Sequence, residues 1–158
     1  MMINIPMAKV AVGGTFECLH DGHRELLRKA FELAGNGRVD IGLTSNAMAD
    51  QRNREIPDYS RRKAQLLKYL ESIPKKAVYE VIELIDPYGR TLIEDYEYIV
   101  VSPETYAMAL KINSMREKKG MRPIDIARIG FVLADDSERI SSTRIVRGEI
   151  DIHGHIIR

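Results

Sequence analysis

The sequence GGTFECLHDGH, at residues 13–23, places three glycines, a hydroxyl and two histidines between an apolar run and a helix-like run. The apolar run at 9–12 predicts a buried strand, and the spacing of apolar residues at 24–34 predicts an amphipathic helix. Adjacent glycines between the two predict a tight turn. Backbone N–H groups at a helix start lack intrahelical partners, and the helix dipole favours negative charge there. Because the histidines add hydrogen-bond donors, this junction predicts a phosphate site.

Length and composition are those of a soluble globular protein. The chain has 158 residues, so we expect a single domain at 1–158, with a core at about 8–150 and a short C-terminal tail. The net charge of +1 gives no broad electrostatic case for nucleic acid or an anionic membrane as a partner. The N-terminus lacks a signal-peptide pattern, and no run approaches the ~20 apolar residues of a membrane span. Cys18 is the single cysteine, so a reducing, cytoplasmic setting is expected.

Strand-like and helix-like segments alternate through the rest of the chain. Strands are predicted at 39–44, 78–85, 98–101 and 125–133. Helices are predicted at 59–71 and from Pro103 to about Lys118, with Ser102 as the N-cap of the second. A short last helix is predicted to open at the hydroxyl-rich stretch 141–143. The alternation predicts a three-layer α/β fold with a mainly parallel sheet and right-handed crossovers.

Ligands in such sheets bind at the carboxyl ends of the strands, near the point where the strand order reverses. The glycine turn, Ser102 and the 141–143 stretch each follow a predicted strand, so all three could converge there. His20 and His23 could instead ligate a metal, but no third ligand has a recognisable spacing, and no protein-held metal is predicted. N-capping alone would explain one hydroxyl at the start of the last helix, whereas 141–143 supplies three.

The glycine-histidine stretch resembles a known motif. Gly-Gly-Thr-Phe followed by Leu-His-Asp-Gly-His is similar to the (T/H)xGH motif of the nucleotidyltransferase superfamily. A second motif of that superfamily, Ile-Ser-Ser-Thr-x-x-Arg, resembles residues 140–146. The two stretches occur in the right order, and the resemblance implies a Rossmann-like nucleotidyltransferase fold.

Segments in the middle of the chain narrow the resemblance to one family. Residues 41–45, 86–89 and 99–105, then Asn113 and Arg116, are similar to phosphopantetheine adenylyltransferases of the archaeal and eukaryotic type. The resemblance spans about 9–150. It implies that the protein uses Mg²⁺ and transfers the adenylyl group of ATP to 4′-phosphopantetheine. The products would be 3′-dephospho-coenzyme A and pyrophosphate, in coenzyme A biosynthesis.

The resemblance also implies roles at the first motif. His20 and His23 would contact the nucleotide phosphates, with His23 the stronger candidate for stabilising the transition state. Thr15 would hold the attacking phosphate, and Gly14 and Phe16 would offer backbone contacts. A phosphate nucleophile already carries negative charge, so catalysis would consist of positioning and charge stabilisation.

At the second motif, three hydroxyl residues would cradle the β- and γ-phosphates, namely Ser141, Ser142 and Thr143. Val146 stands where the motif has arginine, so Arg144 or Arg147 would reach the phosphates instead. The sequence does not decide between these two, and we assign Arg144 to the nucleotide site. The first motif departs as well, because Glu17 stands where the family often has aspartate.

Two further arginines are predicted to contact phosphate. The family uses a basic residue after the second strand, which favours Arg52 in the local basic cluster Arg52, Arg54, Arg61, Arg62 and Lys63. The other interpretation of that cluster is a solvated loop and helix face. Arg116 is assigned to phosphate by its resemblance to the family pattern, although most helix-surface arginines are only solvated.

Two alternative functions stay open on the sequence. The protein could act on another phosphorylated acceptor, such as nicotinamide mononucleotide, FMN or glycerol phosphate, because acceptor choice depends on pocket shape. It could also be a nucleotide- or coenzyme A-binding regulator without turnover. Val146 leaves the regulator open, while the intact histidines and hydroxyls argue against it. The oligomeric state is not readable from the sequence.

Overall fold

A parallel sheet of five strands forms the centre of the computed structural model, which describes residues 5–50 and 54–158. The strands are β1 (Lys9–Gly14), β2 (Arg38–Thr44), β3 (Val78–Leu84), β4 (Tyr98–Val101) and β5 (Asp125–Arg128). The helices are α1 (Asp21–Ala34), α2 (Asn46–Ala49), α3 (Tyr59–Ser72), α4 (Tyr106–Lys118) and α5 (Ser142–Val146).

The strand order is β3-β2-β1-β4-β5, and every neighbouring pair is parallel. The chain therefore builds outward from β1 to β3 on one side, then returns to place β4 and β5 on the other side. Between β1 and β4 the direction of winding reverses, which is the position where parallel α/β sheets bind ligands. The predicted α/β class with a parallel sheet is confirmed.

Alternating side chains along β1 separate the two faces of the sheet. Val10 and Val12 point into the larger apolar cluster, where they meet Leu27 of α1 and other buried residues of α1 and α3. Ala11 points to the other face and joins a second cluster with Ile112 of α4. Burying such aliphatic side chains contributes about 1.5–3 kcal/mol each, so helices are held on both faces and the fold has three layers.

The last strand is shorter than predicted. We predicted a strand at 125–133, but β5 ends at Arg128, and Arg128 is paired with Val101, the last residue of β4. Ile129 still donates its N–H to the carbonyl of Val101 at 2.9 Å. Beyond that point β4 offers no further residue to pair with, so the apolar run leaves the sheet and lines a cleft instead.

The start of α4 was also predicted wrongly. The helix begins at Tyr106 rather than Pro103, and Ser102 is not its N-cap. Ser102 and Thr105 close a turn of their own, in which Thr105 N donates to Ser102 O and Ser102 N donates to Thr105 Oγ1, both at 3.1 Å. The turn satisfies these groups before the helix starts.

The C-terminal tail packs against the start of α1. Ile150 is fully buried in a small cluster of its own, and Ile152 O accepts the N–H of Asp21 at 3.0 Å. His153 Nδ1 lies 2.9 Å from Asp21 Oδ1. Within residues 5–50 and 54–158, no helix is both long and apolar enough to cross a bilayer.

Candidate active site

A cleft of about 170 Å³ opens at the carboxyl ends of β1, β4 and β5, where the strand order reverses. Segments that are distant in the chain line it together. Seven predicted site residues line it, four from the first motif and three from the second: Gly14, Thr15, His20, His23, Ser141, Ser142 and Thr143. The structure therefore brings both motifs into one cleft.

The loop between β1 and α1 has a strained backbone. Phe16 and Leu19 have φ angles of 49° and 44°, in the left-handed region that costs a non-glycine residue about 1–3 kcal/mol. Both side chains are buried, and their burial offsets this cost. Phe16 is fully buried, and its ring lies 5.2 Å from that of His23. These contacts involve its side chain, and its contact with the nucleotide through the backbone stays a prediction.

His20 caps the first turn of α1 with its side chain. Its Nδ1 accepts the N–H of Gly22 at 3.0 Å and that of His23 at 3.4 Å. A Cβ at position 22 would lie 2.8 Å from His20 Cε1, so glycine there leaves room for the ring. Burial lowers the pKa of His20 to about 4. The ring is neutral at pH 7, and because Nδ1 is an acceptor its proton is on Nε2.

The two motif histidines form one stacked pair. Their ring centroids are 3.8 Å apart and their planes are inclined by 16°. Both residues line the cleft. Phe16 packs beside His23, and the cap bonds hold His20, so neither ring is free to reorient without disturbing the other.

Arg54 connects the two motifs. It makes a bidentate ion pair with Glu17, through Nη2–Oε2 at 2.5 Å and Nε–Oε1 at 3.2 Å. Its Nη1 donates to Thr143 Oγ1 at 2.7 Å. In the sequence Arg54 was one of five basic residues in a cluster, and the family pattern after the second strand favoured Arg52 instead. Arg52, the member favoured from the sequence, lies outside the described residues.

The three hydroxyls of the second motif each have a protein partner as well as a place on the cleft wall. Ser141 is the N-cap of α5 and accepts the N–H of Arg144 at 3.3 Å. Ser142 lies within hydrogen-bonding reach of the Cys18 thiol, whose pKa is raised by burial. Thr143 accepts from Arg54. Capping therefore explains Ser141 alone, and the phosphate roles of all three stay predictions.

Two predicted phosphate ligands make contacts elsewhere. Arg144 pairs with Asp136 and with Glu149, the latter at 3.2 Å, and is not among the cleft-lining residues. Arg116 is almost fully buried on the other face of the sheet, where Nη1 donates to Thr91 O at 2.7 Å and to other carbonyls. Protein partners occupy both guanidinium groups, so their phosphate roles remain predictions without support from these contacts.

The sequence did not assign three residues to the site, namely Glu104, Arg139 and Arg62. Glu104 and Arg139 form an ion pair, and both line the cleft. Arg62 is fully buried and donates to Thr15 O at 3.2 Å. A signal for Arg62 existed, because it shares a four-residue spacing with Leu66 and Leu70 and so falls on the apolar stripe of α3.

The fold and the cleft are those of one class of enzymes. A family model described as cytidylyltransferase-like matches residues 11–148, and the chain belongs to that family. The phosphopantetheine adenylyltransferase of Methanosarcina acetivorans is 56% identical over 154 residues, which cover 96% of this chain and 97% of that protein. That of Archaeoglobus fulgidus is 47% identical over 151 residues, covering 94% and 99%. Within the cytidylyltransferase-like class, the chain is therefore a member of the phosphopantetheine adenylyltransferase family.

A solved structure is similar over most of the chain. The crystal structure of a protein with unknown function from Archaeoglobus fulgidus matches with a TM-score of 0.71 and 44% sequence identity. The match covers 77% of this chain and 88% of that one.

Proposed function

We propose that this protein transfers the adenylyl group of ATP to 4′-phosphopantetheine, giving 3′-dephospho-coenzyme A and pyrophosphate. The observation that carries the proposal is the single cleft that holds the glycine-histidine segment together with the three hydroxyls of 141–143. The name shared by the relatives favours phosphopantetheine over nicotinamide mononucleotide, FMN or glycerol phosphate, and favours an enzyme over a regulator. We place this activity in a single domain, in the cytoplasm and in coenzyme A biosynthesis.

The reaction forms one P–O bond and breaks another. An oxygen of the acceptor phosphate attacks the α-phosphorus of ATP, and the bond from that phosphorus to the oxygen bridging to the β-phosphorus breaks as pyrophosphate leaves. Negative charge on the equatorial and leaving oxygens is what the site must stabilise. His20 supplies a neutral Nε2–H donor, because Nδ1 is occupied by its cap bonds. His23 stacks on it, and both would contact the α-phosphate.

The remaining site residues would hold the two substrates in line. Thr15 would bind the acceptor phosphate, with Gly14 and Phe16 offering backbone contacts. Ser141, Ser142 and Thr143 line the cleft, and their hydroxyls would bind the leaving pyrophosphate. Arg54 is bonded to Thr143, so its positive charge lies beside the same hydroxyls. Holding reactants in this way supplies the orientation on which an in-line displacement depends.

We propose Mg²⁺ as the ion that accompanies ATP. In phosphoryl transfer Mg²⁺ neutralises charge on the triphosphate, and it is usually held by one or two carboxylates together with phosphate oxygens. Glu17 and Glu104 are carboxylates on the cleft wall, and each is paired with an arginine. The donor set therefore suits an ion that is ligated mainly by the triphosphate of the substrate.

A release assay tests this proposal. The purified protein is incubated with ATP, Mg²⁺ and one acceptor at a time, and pyrophosphate is measured. We expect release with 4′-phosphopantetheine and none with pantetheine, the matched control that lacks the nucleophilic phosphate. Release only with another phosphorylated acceptor would overturn the substrate assignment. ATP binding without release for any acceptor would favour a regulator.

A further inference from the structure

A buried cation lies beneath the ends of β1 and β2, next to the cleft. Arg62 is in the first turn of α3, and its side chain is fully buried. Its Nε donates to Pro57 O at 2.7 Å, and its Nη1 donates to Thr44 O at 2.8 Å and to Thr15 O at 3.2 Å. Its Nη2 lies 3.4 Å from Asn46 Oδ1. These partners are all neutral oxygens, so carbonyl and amide dipoles rather than a carboxylate face the guanidinium.

A chain of two further hydrogen bonds leads from Arg62 to the cleft. Arg62 Nη1 also lies 3.3 Å from Thr44 Oγ1, and Thr44 Oγ1 lies 3.0 Å from Thr15 Oγ1. A guanidinium can only donate, so Thr44 Oγ1 accepts from it, and the O–H of Thr44 donates in turn to Thr15 Oγ1. Thr15 Oγ1 is then an acceptor within the protein, and its own proton is available to a group in the cleft that Thr15 lines.

We propose that Arg62 and Thr44 are positioning residues that make the Thr15 hydroxyl a hydrogen-bond donor to the phosphate of the acceptor substrate. The inference rests on the proposed function, because it takes the acceptor phosphate as the group that Thr15 binds. A hydroxyl already oriented as a donor needs no rearrangement when an anion arrives, which is how preorganised sites gain their effect. A donor oriented in this way also disfavours an uncharged acceptor without a phosphate, because the donor would then be left without its hydrogen-bond partner.

A purely structural role for Arg62 predicts a different outcome, and Thr44→Val separates the two. The substitution is nearly isosteric and removes Oγ1, but it leaves Thr44 O and Thr15 O in place for Arg62. If Arg62 only ties β1 to β2, the loss of Oγ1 leaves acceptor binding unchanged. If the relay operates, the loss of Oγ1 weakens the bond between Thr15 and phosphate.

The experiment is a double-mutant cycle on ligand affinity, measured by calorimetry with 4′-phosphopantetheine and, as control, with pantetheine. We expect Thr44→Val and Thr15→Val each to weaken phosphopantetheine binding by ~10-fold, as for a lost hydrogen bond to a charged group, and to leave pantetheine binding unchanged. Thr44→Ser keeps the hydroxyl and should restore the affinity. The double variant should be no weaker than Thr15→Val alone, because Thr44 acts through Thr15.

Three results would overturn the relay. One is additive losses in the double variant, another is an equal loss of pantetheine affinity, and the third is a Thr44→Val protein that binds phosphopantetheine like wild type. Turnover measured in parallel separates the two proposals. If the cycle shows coupling between Thr44 and Thr15 but the wild-type protein releases no pyrophosphate, the relay is supported and the proposed function is overturned. If the wild-type protein releases pyrophosphate and the losses of the two variants are additive, the proposed function is supported and the relay is overturned.

Discussion

Arg62 and Arg116 are two arginines buried to 0% and 1% exposure, in two regions of the molecule that differ in what the burial achieves. Arg62 lies in the region at the carboxyl ends of β1 and β2, where its partners include Thr15 of the cleft. Arg116 lies on the opposite face, where it donates to the carbonyls of Thr91 and Glu94 and pairs with Asp95 at 2.9 Å. Burial by itself therefore does not mark a functional cation.

The two regions differ in the segments that each arginine connects by hydrogen bonds. Arg62 contacts Thr15 after β1 and Thr44 at the end of β2, so we expect a change there to affect substrate binding. Arg116 ties the connection before β4 to the end of α4, far along the chain from any cleft-lining residue of the first motif. The family resemblance favoured a phosphate role for Arg116 and left Arg62 in a basic cluster whose other interpretation was a solvated face. In the structure Arg62 contacts Thr15 of the cleft and Arg116 bonds to backbone carbonyls, while the phosphate role of Arg116 stays a prediction.

The largest effect is expected from Arg116→Met. The change removes the donors to the carbonyls of Thr91, Glu94 and Arg122, and a carbonyl left buried without a partner, as at Thr91, costs about 1–3 kcal/mol. We expect the free energy of unfolding to fall by ~3 kcal/mol or more in urea titration. Lys118→Met, an exposed cation of the same helix, should change it by less than ~0.5 kcal/mol.

The KM for ATP of the same variant tests the comparison directly. At a temperature where Arg116→Met is folded, we expect that KM to equal the wild-type value. A higher KM would restore the phosphate role that the sequence resemblance implies and would make the two regions alike.

His23→Ala should have the next largest effect, and on catalysis rather than stability. Because a contact that is strongest in the transition state affects kcat more than binding, we expect kcat to fall by ~10²-fold or more, with a smaller change in the Kd for ATP. Steady-state kinetics and calorimetry measure the two quantities. His155→Ala removes an exposed imidazole outside the cleft lining and serves as control. An unchanged kcat would remove His23 from the mechanism.

Arg62→Lys should have an intermediate effect that is specific to one substrate. Lysine keeps the charge but loses the planar fork that serves several carbonyls at once. We expect the KM for phosphopantetheine to rise by ~10-fold while the KM for ATP is unchanged, because the relay acts on Thr15 alone. Arg116→Lys is the matched change in the other region. An equal rise in KM for both variants would mean that loss of packing, and not position, causes the effect.

The smallest effect is expected in the pH dependence of stability. His20 has a pKa of about 4 when folded against an ordinary value of 6.5, so below pH 6.5 the unfolded chain gains a proton that the folded chain does not. The contribution of neutral His20 to the free energy of unfolding is therefore complete above pH 6.5 and is lost as the pH falls toward 4. We expect a loss of ~1 kcal/mol between pH 6.5 and 5.5. His20→Asn keeps a capping acceptor without a titrating group, and its loss over that interval should be smaller by this amount.

Local patterns predicted most of the fold. The strand at 98–101 and the helix starting at Tyr59 lie where periodicity placed them, because apolar spacing is a property of the segment itself. Two boundaries were wrong for reasons outside the segment. The apolar run after Arg128 has no strand residues left to pair with in β4, and Thr105 closes a turn with Ser102 before α4 can begin.

The candidate site could be predicted in part. Glycine and histidine at a strand–helix junction pointed to the cleft, as did the hydroxyls of 141–143, and the structure brings these segments together. Arg54 could be placed only within a cluster, because its bond to Thr143 spans 89 residues of sequence. The pairing of Glu104 with Arg139 spans 35 residues and had no local signal.

The sequence by itself determined the class of fold and the two segments that form the cleft, because strand and helix periodicity and the two motifs are local patterns. Only the tertiary structure showed that the buried Arg62 contacts Thr15 of the cleft. Arg62 reaches Thr15 across 47 residues and Thr44 across 18, so its role exists only once α3 has packed against the ends of β1 and β2. The proposed orientation of the Thr15 hydroxyl depends on that packing, because Thr44 Oγ1 accepts from Arg62 and donates to Thr15 Oγ1.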